Sequence, residues 1–303
     1  MPEPIEQLLE CCFVNIDKPA GPTSHQVSEM VKKILGVPKA GHSGTLDPKV
    51  TGCLPVGIGR AAKLNHLTLS AGKEYVGIAH FHGDVSEADI RRAFSEFTGV
   101  IMQTPPIRSA VKRQARPRTV YELGALEIEG RDVLFRTQVE GGTYIRKLVH
   151  DIGAYLRIGA HMGDLRRTKA GSFDESTLVI LHDLRDALEY WKETGDENPL
   201  RGMLQPPERA VEHIARVVID REAARAVCHG AYLAVPGVLS YSDFAKDEPV
   251  LLFSEDLLIG YGTALMSSED LAHMEKGLLI ATDAIIRDAS VFEPKEPERA
   301  ERP

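Results

Sequence analysis

The sequence predicts an α+β fold in two parts: a larger part of hairpins and isolated helices, then a smaller, β-rich part at the C-terminus. Three observations carry this prediction. Helical and strand-like apolar periodicities alternate without the regular strand–helix succession of a doubly wound sheet. Over 193–210 the composition turns polar, acidic and Pro-containing, as at a linker or domain edge. Beyond Arg216, short apolar runs (Ala234–Val238, Val250–Phe253, Leu257–Tyr261, Leu278–Ile280) are separated by turn signals, which is the pattern of a small β domain.

In chain order, Phe13–Ile16 reads as a buried strand, and the turn after it is forced by Pro19 and Pro22. Thr23 or Ser24 then caps a helix with Val27, Met30, Val31, Ile34 and Leu35 on one face, and Gly36 ends it. Residues 41–60 are too rich in glycine for a helix and read as a structured loop entering a strand near Leu54–Ile58. Next come a helix from Arg60, a strand over Glu74–His82 and an amphipathic helix over Glu87–Phe97. Tyr121–Ile128 and Val133–Val139 form a hairpin across Glu129–Asp132. After Gly141-Gly142, Thr143 is expected to cap a helix with the inward stripe Ile145, Leu148, Val149, Ile152 and Leu156, and a strand runs over His161–Arg167. The expected domains are 10–215, 216–291 and a charged, Pro-rich, disordered tail over 292–303.

Composition narrows the class. No apolar stretch reaches the length of a membrane span, and the acidic N-terminus lacks the features of a targeting segment, so the expected compartment is the cytoplasm. Cys11, Cys12, Cys53 and Cys228 have no metal-site or disulfide spacing, and no structural metal is implied. The net charge of −8 is unevenly spread: residues 101–170 hold thirteen Lys/Arg against seven Asp/Glu, a balance of +6 that leaves −14 elsewhere. A basic segment in an acidic protein suits one face meeting phosphates, although an Arg-rich solvated surface has the same composition.

Several residues could carry chemistry. Asp47 stands in the Gly-rich loop before Pro48, which biases it toward extended backbone; both a catalytic carboxylate and a simple turn residue fit this local pattern. Arg146 falls in the first turn of a helix, where the dipole disfavours a cation, so it needs a carboxylate or phosphate to meet. The alternative is a surface ion pair of little consequence. Tyr75 and Tyr144 could stack on a base or belong to the half-buried core. His42 could hold the place of an extruded nucleotide or be an ordinary loop residue. Lys112, Arg113, Arg116 and Arg118 form one basic cluster, and Arg166, Arg167 and Lys169 a second; both suit phosphates, and neither has interleaved aromatics. There is no P-loop, strand-borne GxGxxG, HExxH or GxSxG.

Six segments, taken together, resemble the TruB family of pseudouridine synthases, and within it the archaeal H/ACA branch related to eukaryotic dyskerin. They are DKPAGPTSHQV (17–27), AGHSGTLDPKVTGCLPV (40–56), GKEYVG (72–77), PPIRSAVKR (105–113), EGGTYIRKLVHDIG (140–153) and AHMGDLRRTKAGSF (160–173), in family order. AVPGV (234–238) and the residues C-terminal to it resemble the family's PUA module. The resemblance implies the pseudouridine synthase fold, a mixed and largely antiparallel sheet, with a small all-β PUA module that binds RNA.

It also implies roles. Asp47 takes the place of the essential aspartate, Arg146 of its arginine partner and Tyr75 of the tyrosine against the target base. His42 takes the place of the histidine that supports the flipped-out nucleotide, and Leu165 of an apolar residue in the uracil pocket. Tyr144, Lys112 and Arg113 fall to substrate binding. The isomerisation breaks the N1–C1′ bond, turns the base and joins C5 to C1′, so no cofactor or metal is implied. Bacterial stand-alone members carry a longer insertion where only five residues separate Lys112 from Arg118 here. The resemblance therefore implies an H/ACA guide RNA, small H/ACA accessory proteins, and ribosomal and transfer RNA substrates. The alternatives are a guide-independent transfer RNA synthase, a non-catalytic RNA-binding scaffold, and a glycoside hydrolase, which would need a second carboxylate.

Overall fold

A computed structural model describes residues 3–104 and 114–292. The tail expected over 292–303 lies, beyond Phe292, outside the described residues. The chain divides into two compact units between Val211 and Glu212.

In the first unit the strands are β1 (Cys11–Lys18), β2 (Ala40–His42), β3 (Thr51–Gly59), β4 (Lys73–Phe81), β5 (Gly99–Gln103), β6 (Arg116–Glu129), β7 (Asp132–Val139), β8 (Ala160–Ala170), β9 (Phe173–Asp174) and β10 (Leu178–Val179). The helices are α1 (Ile5–Leu8), α2 (Ser24–Leu35), α3 (Glu87–Glu96), α4 (Ile145–Tyr155), α5 (Leu181–Thr194) and α6 (Asn198–Met203). The strands form one sheet in the order β10-β1-β3-β8-β4-β7-β6-β5, with β2 on β3 and β9 on β8. Pairing is antiparallel except at β1–β10 and β3–β8, so the sheet is mixed and largely antiparallel, as expected.

Two hydrophobic clusters flank the β3–β8 seam. One joins β1 and β3 to α1, α2, α5 and α6; the other joins β4, β6, β7 and β8 to α3 and α4. At the seam the contact is close. Gly52 pairs with Arg167, and a Cβ on Gly52 would lie 2.2 Å from the Arg167 carbonyl at φ +98°. Only glycine fits there, so the loop before β3 is carried to the meeting line of the two halves.

The local signals account for most elements. Thr23 and Gln26 form a capping box at the start of α2, and Gly36 closes it in the left-handed conformation. Three expectations need correction. Arg60–Leu64 is a 3-10 helix rather than an α-helix. Thr143 does not cap α4: Tyr144 holds the cap position, and the Thr143 hydroxyl is buried without a hydrogen-bond partner among the described residues. Of the two readings of 193–210 the linker fails and the domain edge holds: the stretch is packed structure that ends where the first unit ends. Pro199 sits in the first turn of α6, where its missing N–H costs nothing, and Leu200 is fully buried. Phe13 and Gln205 then exchange two main-chain hydrogen bonds of 2.8 Å.

The second unit holds β11 (Arg216–Ile219), β12 (Leu233–Ala234), β13 (Val238–Tyr241), β14 (Pro249–Ser254), β15 (Leu257–Ala264) and β16 (Leu278–Ile285), with α7 (Arg221–Cys228) and α8 (Ser268–Leu271). Its sheet runs β12-β16-β15-β14-β11-β13 around a core that includes Val217, Val250, Leu252, Ile259 and Ile280. Cys11, Cys12 and Cys53 are buried, Cys228 is half-buried, and among the described residues none of the four forms a disulfide. Among the described residues no helix is long and apolar enough to cross a membrane.

Candidate active site

Asp47 lies in the loop between β2 and β3, and the main chain on either side of it is tied down. Ser24, fully buried at the start of α2, accepts a hydrogen bond from the Leu46 N–H (2.8 Å) and donates its own to the Leu46 carbonyl (3.1 Å). Lys18, fully buried at the end of β1, donates to the carbonyls of Pro19 (2.9 Å), Pro48 (2.9 Å) and Val50 (2.8 Å). Arg167 donates to the carbonyls of Cys53 (2.7 Å) and Gly44 (3.3 Å). The loop backbone is thereby immobilised while the Asp47 carboxylate stays half-exposed.

Arg146, the second residue of α4, donates to that carboxylate from 99 residues away. The pair resolves the tension at the helix start, because an anion there is favourable and neutralises the cation beside it. The start of α4 is itself fixed. Gly141 packs so tightly that a Cβ would lie 1.9 Å from the Leu69 carbonyl. The Tyr144 N–H donates to Gln103 Oε1 (2.9 Å), and Gln103 Nε2 donates back to the Tyr144 carbonyl (3.2 Å).

Beside the ion pair is an apolar wall. Tyr75 on β4 and Leu165 on β8 are buried in one cluster with Leu46, Val50 and Ile145. Leu46 precedes Asp47 and Ile145 precedes Arg146, so the two charges sit at the rim of this wall. Tyr144 is half-buried at the head of α4. His42, at the end of β2, is half-buried, and its Nδ1 has no hydrogen-bond partner among the described residues. Burial, then the charges of Arg167 and His25, push its pKa below the ordinary histidine value. A neutral imidazole with an unused buried nitrogen suits a nucleobase better than a phosphate.

Of the two basic clusters, only the second can be followed in full. Lys112 and Arg113 lie outside the described residues. Arg118 is bound to Glu140 (3.2 Å). Arg166 forks onto Asp17 (2.9 and 3.1 Å) and reaches Glu175 (2.6 Å), while Arg167 is only 1% exposed. The second cluster is therefore internal structure, and of its three residues only Lys169 is exposed. Lys18, Ser24 and Gln103, absent from the sequence-derived candidates, and Arg167, expected at a phosphate, hold its frame. Gln103 follows the apolar run Val100–Met102, whereas Ser24 and Arg167 stand between polar neighbours and carry no such local signal.

Known protein families match most of the chain between residues 2 and 286. The N-terminal domain of TruB family pseudouridylate synthases matches residues 32–145, and the C-terminal domain of tRNA pseudouridylate synthase B matches 146–212. A PUA domain matches 215–286, and a DKCLD domain matches 2–28. A probable tRNA pseudouridine synthase B of Methanopyrus kandleri is 47% identical over 95% of this chain and 86% of its own. That of Thermococcus kodakarensis is 50% identical over 93% and 84%. The chain belongs to the TruB family of pseudouridine synthases. Family membership makes it an RNA-modifying isomerase, and the expected fold, catalytic unit followed by PUA domain, is the one found.

Solved TruB-family structures agree along nearly the whole chain. Cbf5 in a Cbf5–Nop10–Gar1 complex superimposes with a TM-score of 0.93 at 47% identity, covering 97% of this chain and 90% of that one. A chain of an H/ACA ribonucleoprotein bound to a substrate RNA containing 2′-deoxyuridine gives 0.89 at 45% identity, covering 96% and 90%.

Proposed function

We propose that this synthase is the catalytic subunit of a cytoplasmic H/ACA guide ribonucleoprotein, isomerising guide-selected uridines in ribosomal RNA with small accessory proteins as partners. The likeness over almost the full chain to Cbf5 of the Cbf5–Nop10–Gar1 complex carries this reading.

Within it, Asp47 is the catalytic carboxylate, acting either on C1′ directly or on the 2′ proton. Arg146 holds it in place. Tyr75 and Leu165 form the pocket for the extruded uracil, whose unstacking costs a few kcal/mol that the apolar wall returns. His42 and Tyr144 line the approach, and Lys112 and Arg113 meet the RNA backbone. The PUA domain holds the guide RNA.

Asp47→Asn keeps the size of the side chain and removes its charge. The variant is expected to lose pseudouridine formation while binding RNA as the parent does; retained turnover removes Asp47 from the mechanism. A second reading, guide-independent action on transfer RNA, is favoured by the naming of the relatives as tRNA pseudouridine synthase B. Assays on a ribosomal fragment and a transfer RNA transcript, each with and without guide RNA and accessory proteins, separate the two. Full activity on the ribosomal target without guide overturns the ribonucleoprotein reading.

A further inference from the structure

Arg167 is the largest of the fully buried side chains, and among the described residues its hydrogen bonds go to main-chain carbonyls alone. Among the described residues no carboxylate neutralises it. A buried cation without a counter-ion is a costly feature, and hydrogen bonds to neutral carbonyls offset that cost only in part. The strain on neighbouring charges is visible. Burial and the Arg167 charge push Lys73 well below the ordinary lysine pKa, and the Arg167 charge also disfavours the protonated form of His42.

The position of the side chain gives it a use. Its planar fork reaches Gly44, three residues before Asp47, and Cys53, on β3 after the loop. It therefore braces the base of the loop that carries the carboxylate. The same residue belongs to the strand that carries Leu165, two positions earlier, and is paired in register with Tyr75 on β4. One residue thus links the carboxylate's loop, through its side chain, to both strands that bear the pocket wall, through its main chain.

We propose that Arg167 is a positioning residue for the isomerisation, fixing the distance between the Asp47 carboxylate and the uracil pocket. This rests on the assignment of the site to Asp47, Tyr75 and Leu165. A lysine at this place keeps the charge but lacks the two-pronged geometry, so the carboxylate loses its registration while the RNA-binding surface is untouched.

The test is single-turnover isomerisation of guide-bound substrate by Arg167→Lys and Arg167→Met, with Asp47→Asn beside them. Thermal unfolding and RNA affinity are measured on the same samples. Both Arg167 variants are expected to keep parental RNA affinity and to slow the chemical step by about tenfold to a hundredfold, the scale of an ångström-sized misplacement. A merely structural role lowers the melting temperature but leaves the rate per folded molecule unchanged. Folded Arg167→Lys turning over at the parental rate, with Asp47→Asn inactive, overturns the proposal alone. An active Asp47→Asn instead overturns the site assignment beneath it.

Discussion

Gly77 sits on β4 two residues after Tyr75, against the residue proposed as the pocket wall. A Cβ there would lie 2.6 Å from Leu165 Cδ1, 3.0 Å from the Asp164 carbonyl and 3.1 Å from Phe135 Cζ. Carbon atoms rest at roughly 3.5–4.0 Å, so the Leu165 methyl must retreat by about 1 Å. The Asp164 carbonyl falls at an irregularity in the β4–β8 pairing, but the Phe135 ring is 1% exposed and does not yield easily. Gly77→Ala is thus an overpacking change that reshapes the pocket from below, costing about 1–3 kcal/mol of stability. A displacement of that size at a reacting centre costs on the order of a hundredfold in rate. Loss of tritium from C5 of the target uridine reports the step in which C5 joins C1′, and denaturant unfolding reports stability. The expected result is a destabilised enzyme, still folded and RNA-binding, with a much slower chemical step. A variant that is destabilised yet turns over at the parental rate refutes the reasoning, because Leu165 would then not bound the pocket.

Two further outcomes rest on the electrostatics. The Arg146 and Asp47 side chains are 59% and 52% exposed, a regime in which an ion pair contributes about 0–1 kcal/mol. Arg146→Met should therefore leave the melting temperature almost unchanged while slowing catalysis on the order of a hundredfold; near-parental activity contradicts the proposed role. Lys73 donates to the Thr68 and Ala71 carbonyls at 3.0 and 2.6 Å, and burial, then the Arg167 charge, push its pKa from 10.5 to about 7. The folded chain then binds fewer protons here than the unfolded chain between those values. The stability from the neutral amine is complete above 10.5 and is lost as pH falls toward 7, by at most about 1.4 kcal/mol per pH unit. Unfolding free energies measured across that range should rise with pH more steeply in the parent than in Lys73→Met; parallel curves would exclude a buried, proton-linked Lys73.

Much of the fold was legible locally. The capping box of α2, the stripe of α4, the hairpin of β6 and β7 and the β-rich second unit all come from signals spanning a few residues, and the six motifs in order identified the family. The expectations that failed share a cause. Thr143 has the chemistry of a cap, but a buried Gln103 already satisfies the backbone at the start of α4. The polar stretch after 193 has a linker's composition, yet its few apolar residues are enough to dock it.

Asp47 and Arg146 could each be singled out from the sequence, one by its loop and the other by its awkward place on a helix dipole. Their meeting was decided by the tertiary structure, because it depends on β3 lying beside β8 and on α4 starting near the same seam. The second basic cluster makes the same point in reverse. Arg166, Arg167 and Lys169 are close in sequence and equally basic, but strand alternation and packing turn one into a bidentate ion pair, bury the second beneath the site and leave the third exposed. Residue type and spacing determine which chemistry is on hand; solvent exposure and the choice of partner are set by non-local strand pairing, which a linear pattern does not encode.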